Sequence, residues 1–109
     1  MNHGCVILAD VHHPMLEATR GLLDAVFHTV VMVSSRESLV DASVKIRPDL
    51  IVVDLALQSS DGQRLLLEPD EQLKEFKMIV LSTYDEKDIV DSIMNKGVRG
   101  YVLKQFVAT

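Results

Sequence analysis

Four polar residues close four short apolar runs: Asp10 after CVILA, Asp54 after LIVV, Ser82 after MIVL and Lys104 after YVL. Two carboxylates can hold a hard divalent ion such as Mg²⁺ through oxygen ligands, with waters completing the octahedron. A hydroxyl and an ammonium are donors suited to a doubly charged phosphoryl group, and a carboxylate can itself be phosphorylated to an acyl phosphate. Together the four side chains fit phosphoryl transfer onto Asp54. Each has a plainer reading on its own. An Asp in Asp54's position also caps a following turn or helix, and Lys104 also fits a solvated cation at a strand end.

The elements that must position these groups alternate along the chain. The stretch DLIVVDLALQSSDG, 49–62, carries an apolar run into Asp54 and then a polar, glycine-containing turn. Such a run reads as a strand buried on both faces of a parallel sheet, where ligands gather at the carboxyl ends. The run 5–9 makes the first strand. Pro14 opens a first helix, with Met15, Leu16, Thr19, Leu22, Leu23, Val26 and Phe27 on one stripe. Thr29 to Val33 is β-branched and makes the second strand. Ser34 with Glu37 has capping-box spacing for a second helix that must stop before Pro48. Asp61-Gly62 leads into a third helix interrupted by Pro69. The fourth strand spans 78–81. Asp85 is placed to cap a fourth helix that turns Ile89, Val90, Ile93 and Met94 inward and ends at Gly97. The fifth strand spans 101–103.

Alternating strands and helices of this kind specify βαβ units. The fold class is therefore α/β: a doubly wound, flavodoxin-like sheet of five parallel strands with helices on both faces and right-handed crossovers. Residues 1–109 form one domain, which is the size that supports a single core. Apolar residues make up 48% and charged residues 25% of the chain, ordinary values for a globular protein. A net charge of -5 lacks the basic footprint that phosphate neutralisation needs, which argues against direct nucleic-acid contact. The single cysteine, Cys5, cannot form an internal disulfide and fits a buried thiol in a reducing, cytoplasmic compartment. No membrane-spanning run or leader segment is expected. His12 and His13 are adjacent, so their side chains point apart, and no Cys or further His lies at ligand spacing for zinc. His3 and His28 read as surface residues. The acids Asp85, Glu86 and Asp88 favour the positive end of a helix dipole.

The segments ILAD…HPML, PDLIVVDLALQSSDG, IVLSTYD and GVRGYVLK, in this order and spacing, resemble the receiver domain of bacterial two-component response regulators along essentially the whole chain. They are most similar to receivers that precede a LuxR/NarL-type helix-turn-helix domain. The resemblance implies the flavodoxin-like strand order 2-1-3-4-5. The resemblance implies that Asp54 accepts a phosphoryl group from a sensor histidine kinase and that Asp10 and Asp54 hold Mg²⁺, with the backbone carbonyl of Ala56. It further implies that Ser82 hydrogen-bonds the phosphoryl oxygen, that Lys104 pairs with it, and that Tyr101 is the switch aromatic. Such a domain is a phosphoacceptor switch rather than an enzyme, catalysing only its own phosphorylation and dephosphorylation. Its partners are the kinase and an output DNA-binding domain outside this chain.

The chain departs from the family pattern in several places. The family usually has two adjacent acids ending the first strand, whereas Val11 and then His12 follow Asp10 here. Gln58 stands where Pro is frequent. A fifth helix is not expected within this sequence, which stops shortly after Lys104. That absence is expected to expose the neighbourhood of Val6, Leu8 or Val102 and to favour a homodimer, unless the chain continues naturally into a fifth helix. Tyr84 is expected at the rim of the site, where its ring would slow hydrolysis. Two functions compete. One is a switch whose fourth helix and fifth strand change face on phosphorylation. The other is a pseudo-receiver, a phosphorylation-independent interaction module whose weakened acid cluster has lost the reaction.

Overall fold

The computed structural model describes residues 3–10, 13–55, 73–83 and 85–104. Five strands form one parallel sheet: β1 His3–Ala9, β2 Phe27–Val33, β3 Leu50–Asp54, β4 Met78–Ser82 and β5 Gly100–Leu103. They lie side by side in the order β2-β1-β3-β4-β5, the expected one. Three helices are described: α1 His13–Asp24, α2 Arg36–Ile46 and α3 Lys87–Met94. The helix expected after Gly62 lies outside the described residues.

Two apolar clusters, one on each face, follow from the period-2 alternation of strand side chains. Val6, Leu8, Val52 and Leu81 form one, with Leu23 of α1 and Val30 packed against it. Ile7, Ala9, Ile51, Val53 and Val80 form the other, closed over by Leu39 of α2 and Ile93 of α3. The sheet is thus covered on both sides, as the near-continuous apolar strands require. The expected exposure of Val6 and Leu8 is overturned, because both are fully buried; Val102, at 37%, is exposed.

The helix ends differ from the sequence reading by small shifts. The capping box sits one residue later than Ser34 and Glu37: the Ser35 hydroxyl accepts from the Ser38 backbone N–H, and the Ser35 N–H donates to the Ser38 hydroxyl. Serine can accept at N3 as glutamate does, so either spacing was open. At the other end Pro48 disfavours a helical residue before it, and Arg47 turns left-handed at φ 53° as the C-cap. Asp85 does not cap α3. The N-cap is Glu86, which makes no side-chain capping bond, in keeping with its longer, poorly capping side chain. Gly97 adopts φ 89° beyond the end of α3, the conformation that glycine tolerates best. Met94 is exposed rather than inward. Leu22 and Val26 are exposed as well, and Phe27 has left the expected stripe to start β2. Strand pairing of Phe27 with His3 claims it for the sheet.

Two hydroxyls, Thr19 Oγ1 and Ser43 Oγ, are buried without a hydrogen-bond partner among the described residues. A buried polar group left unsatisfied costs about 1–3 kcal/mol. Ser43→Ala is therefore expected to raise stability by about 1 kcal/mol, helped by alanine's helix propensity. The check is the urea midpoint at unchanged m-value, and a lower midpoint would show that the hydroxyl is satisfied.

At the amino edge of the sheet the Cys5 N–H donates to Asp49 Oδ2 at 2.8 Å. That carboxylate fills the space where a Cβ on Gly4 would stand, 2.2 Å from Asp49 Oδ2. Cys5 is only partly buried, short of the buried thiol expected; that burial first, and then the Asp49 charge, push the thiol above the usual range. A raised acid favours the neutral thiol in the fold. The stability tied to it is therefore complete at neutral pH and falls as pH climbs past the ordinary thiol range. Cys5 is expected to react more slowly with a disulfide reagent at pH 8 than in the unfolded chain, and faster in Asp49→Asn. Equal rates in all three would refute the electrostatic and burial arguments together.

Candidate functional site

The parallel register brings the strand tips together. Ala9 pairs with Val53, so Asp10, the next residue, emerges beside Asp54. Leu81 pairs with Asp54, which puts Ser82 one residue beyond it on β4. Leu103 pairs with Ser82, and Lys104 follows it. The backbone holds this edge: Asp10 N–H donates to Val33 C=O at 3.3 Å, and Leu55 N–H to Leu81 C=O at 2.8 Å.

All four side chains are buried: Asp10 at 2% exposure, Asp54 at 4%, Ser82 at 1% and Lys104 at 6%. Charged residues are seldom this deep unless paired. Here the Lys104 ammonium donates to Asp54 Oδ2 and lies 3.5 Å from Asp10 Oδ2. One cation thus serves two carboxylates, and the cluster keeps one net negative charge. Sequence reasoning had expected Lys104 to face a phosphoryl group and did not foresee its contact with Asp10. Strand parity carried the signal, since Asp10, Asp54 and Lys104 all continue the alternation of the face holding Leu8, Val52 and Val102.

Tyr101 is half-buried and packs against the cluster of Val53 and Val80. It pairs with Val80, one step down the ladder from Ser82 and on the same side. His12, Val11, Ala56 and Tyr84 lie outside the described residues, as does the turn that contains Gln58. His28 is exposed.

Among the described residues no group of three or more His, Cys, Asp and Glu could hold a metal. The donor set at the strand tips is two carboxylates, all-oxygen and buried. That is the minimum with which proteins hold Mg²⁺, which keeps several waters and takes one or two carboxylates. The residues present fit Mg²⁺ and do not fit a metal that prefers nitrogen or sulfur. No described helix is long and apolar enough to cross a membrane.

Comparison with known proteins agrees with this geometry. The transcriptional regulatory protein DegU of Brevibacillus brevis is 25% identical over 105 residues, covering 94% of this chain and 44% of its own length. The nitrate/nitrite response regulator homolog of Haemophilus influenzae is 28% identical over 101 residues, covering 91% and 49%. The chain thus spans about half the length of these relatives. The non-phosphorylated receiver domain of the stress response regulator RcsB from Escherichia coli superposes with a TM-score of 0.83 at 22% identity, covering 99% of this chain and 86% of that one. RcsB of Salmonella typhimurium gives 0.83 at 22%, covering 100% and 56%. The family model of the response regulator receiver domain matches residues 6–109. With a match over nearly its entire length, the order of its strands and the acids at their tips, the chain belongs to the response regulator receiver domain family.

Proposed function

We propose that residues 1–109 act as one phosphoacceptor switch, taking a phosphoryl group on Asp54 from the phosphohistidine of a sensor kinase. The observation that carries the reading is the buried contact of Lys104 with both Asp54 and Asp10, beside the buried Ser82. In the transfer an Asp54 carboxylate oxygen bonds to phosphorus while the phosphorus–nitrogen bond to the donor imidazole breaks, and the electron pair of that bond leaves on the imidazole. Asp10 and Asp54 would hold Mg²⁺, which supplies positive charge for phosphoryl oxygens when bound. Lys104 then exchanges a carboxylate for a phosphoryl oxygen, and the Ser82 hydroxyl donates to another. Phosphorylation draws Ser82 toward the new group, and Tyr101, one ladder step below, follows it inward. The readout is a changed surface of α3 and β5, which controls a partner or a DNA-binding output domain, as the transcriptional role of DegU suggests. This reading places the protein in the cytoplasm, where Cys5 stays reduced.

The test is intact-protein mass after incubation with a small phosphoryl donor and Mg²⁺. The wild type is expected to gain one phosphoryl group and Asp54→Asn none. An adduct that survives in Asp54→Asn would move the acceptor elsewhere. A second reading, the phosphorylation-independent interaction module, is favoured by the small acid cluster and by the cation already held against it. Absence of any Mg²⁺-dependent adduct in the wild type would select it.

A further inference from the structure

The cations of this acidic chain are unevenly placed. Five of its eleven Lys and Arg residues, namely Arg47, Lys74, Lys77, Lys96 and Arg99, lie on the described connections that enter β3, β4 and β5, against two acids there, Asp49 and Glu75. Those strands are neighbours, so the connections form one continuous rim at the amino edge of the sheet, opposite the Asp54 site. Backbone bonds tie the rim together: Ile51 N–H donates to Lys77 C=O at 2.9 Å and Arg99 N–H to Met78 C=O at 2.7 Å. Arg47 fastens the next connection by pairing with Glu75 at 3.2 Å, with its guanidinium 5.5 Å above the Phe76 ring. Lys77, Lys96 and Arg99 are exposed and have no carboxylate within ion-pair distance among the described residues. The opposite edge carries the exposed acids Asp85, Glu86 and Asp88.

We infer that this rim, centred on Lys77, Lys96 and Arg99, docks a short acidic segment of a partner protein. The sheet fixes the spacing of the backbone positions that carry these cations, so only side-chain freedom is lost on binding, and Arg99 can grip a carboxylate with two parallel hydrogen bonds. Neighbouring strands lie about 4.8 Å apart, so their long basic side chains reach successive carboxylates of an extended peptide. The net charge of -5 decides between polyanions. A short peptide stays within the roughly 8 Å Debye length of the rim and senses the local positive charge. A duplex extends past the rim and meets the field of the whole acidic body. The inference stands apart from the phosphoryl chemistry, and Asp54→Asn is expected to bind the peptide as the wild type does.

The experiment is fluorescence anisotropy of a labelled polyglutamate peptide against the full chain at low and at physiological salt. Binding is expected to weaken steeply with salt. The double variant Lys77→Glu/Arg99→Glu is expected to lose at least about tenfold in affinity. Lys87→Glu, at the opposite edge, is expected to change it little. An unshifted urea midpoint shows that the variants fold, and Lys77→Gln/Arg99→Gln serves if charge reversal does not. Absence of binding at low salt, equal loss in the Lys87→Glu control, or tighter binding of duplex DNA than of the peptide would each overturn the proposal.

Discussion

Lys104→Met is expected to cost about 3–5 kcal/mol of stability, the range for breaking a buried charge pair by removing one partner. The carboxylates of Asp10 and Asp54 are almost wholly enclosed, and the ammonium that contacts both is itself 6% exposed. Without it two like charges would share one low-dielectric pocket. The measurement is the urea unfolding free energy of wild type, Lys104→Met, Asp54→Asn and the double variant. Because the cost comes from stranded carboxylates, Asp54→Asn should recover part of it when added to Lys104→Met. The cycle should show coupling of at least about 1 kcal/mol. Additive effects would mean that Lys104 and Asp54 are not energetically coupled in the fold. Mg²⁺ should rescue Lys104→Met more than it stabilises the wild type, since a ligand that binds only the folded form adds stability by mass action.

Mg²⁺ itself is expected to bind the free protein weakly and to bind at least about tenfold more tightly with beryllofluoride, a stand-in for the phosphoryl group on Asp54. Two carboxylates are few ligands for an ion that demands an octahedral oxygen shell. Lys104 already offsets half of their charge. The Val11 side chain offers no oxygen, and His12 is a nitrogen ligand better suited to zinc or copper. A phosphoryl-like group engages Lys104 and brings further ligands, so both obstacles ease together. Calorimetric or fluorescence titration with and without beryllofluoride reads this directly. Tight binding to the free protein would show that another oxygen has joined the shell. An Asp10→Asn variant with unchanged Mg²⁺ affinity would remove Asp10 from the ligand set.

What could be read from the sequence depended on how local its physical cause was. The strands β1, β3 and β4 were legible as short apolar runs, because burial on both faces leaves no room for polar residues. The placement of Asp10, Asp54, Ser82 and Lys104 just past such runs was enough to put all four at one end of the sheet. Ser35 against Ser34 was not resolved, since neighbouring residues of equal capping ability differ by amounts smaller than the tertiary contacts that choose between them. Glu86, a poorer cap than Asp85, holds the N-cap position of α3 without a side-chain bond, an outcome that local preference opposes. The helical stripe of α1 was read too far, into Phe27, because apolar spacing alone cannot see that strand pairing will claim a residue.

By itself, then, the amino-acid order determined a parallel α/β sheet, its strand order through the family resemblance, and which polar groups stand at the strand ends. The sheet class and the placement of the polar groups follow from alternation, turn chemistry and the exclusion of charge from a sheet interior, all of which act within a few residues of chain. The tertiary structure decided which of the groups touch. Lys104 is 50 residues from Asp54, and only the register of β3, β4 and β5, fixed by side chains packing on both faces of the sheet, puts its ammonium against that carboxylate and against Asp10. It also gathered Lys77, Lys96 and Arg99, dispersed along the sequence, at one edge of the sheet, because neighbouring parallel strands must all begin at the same side.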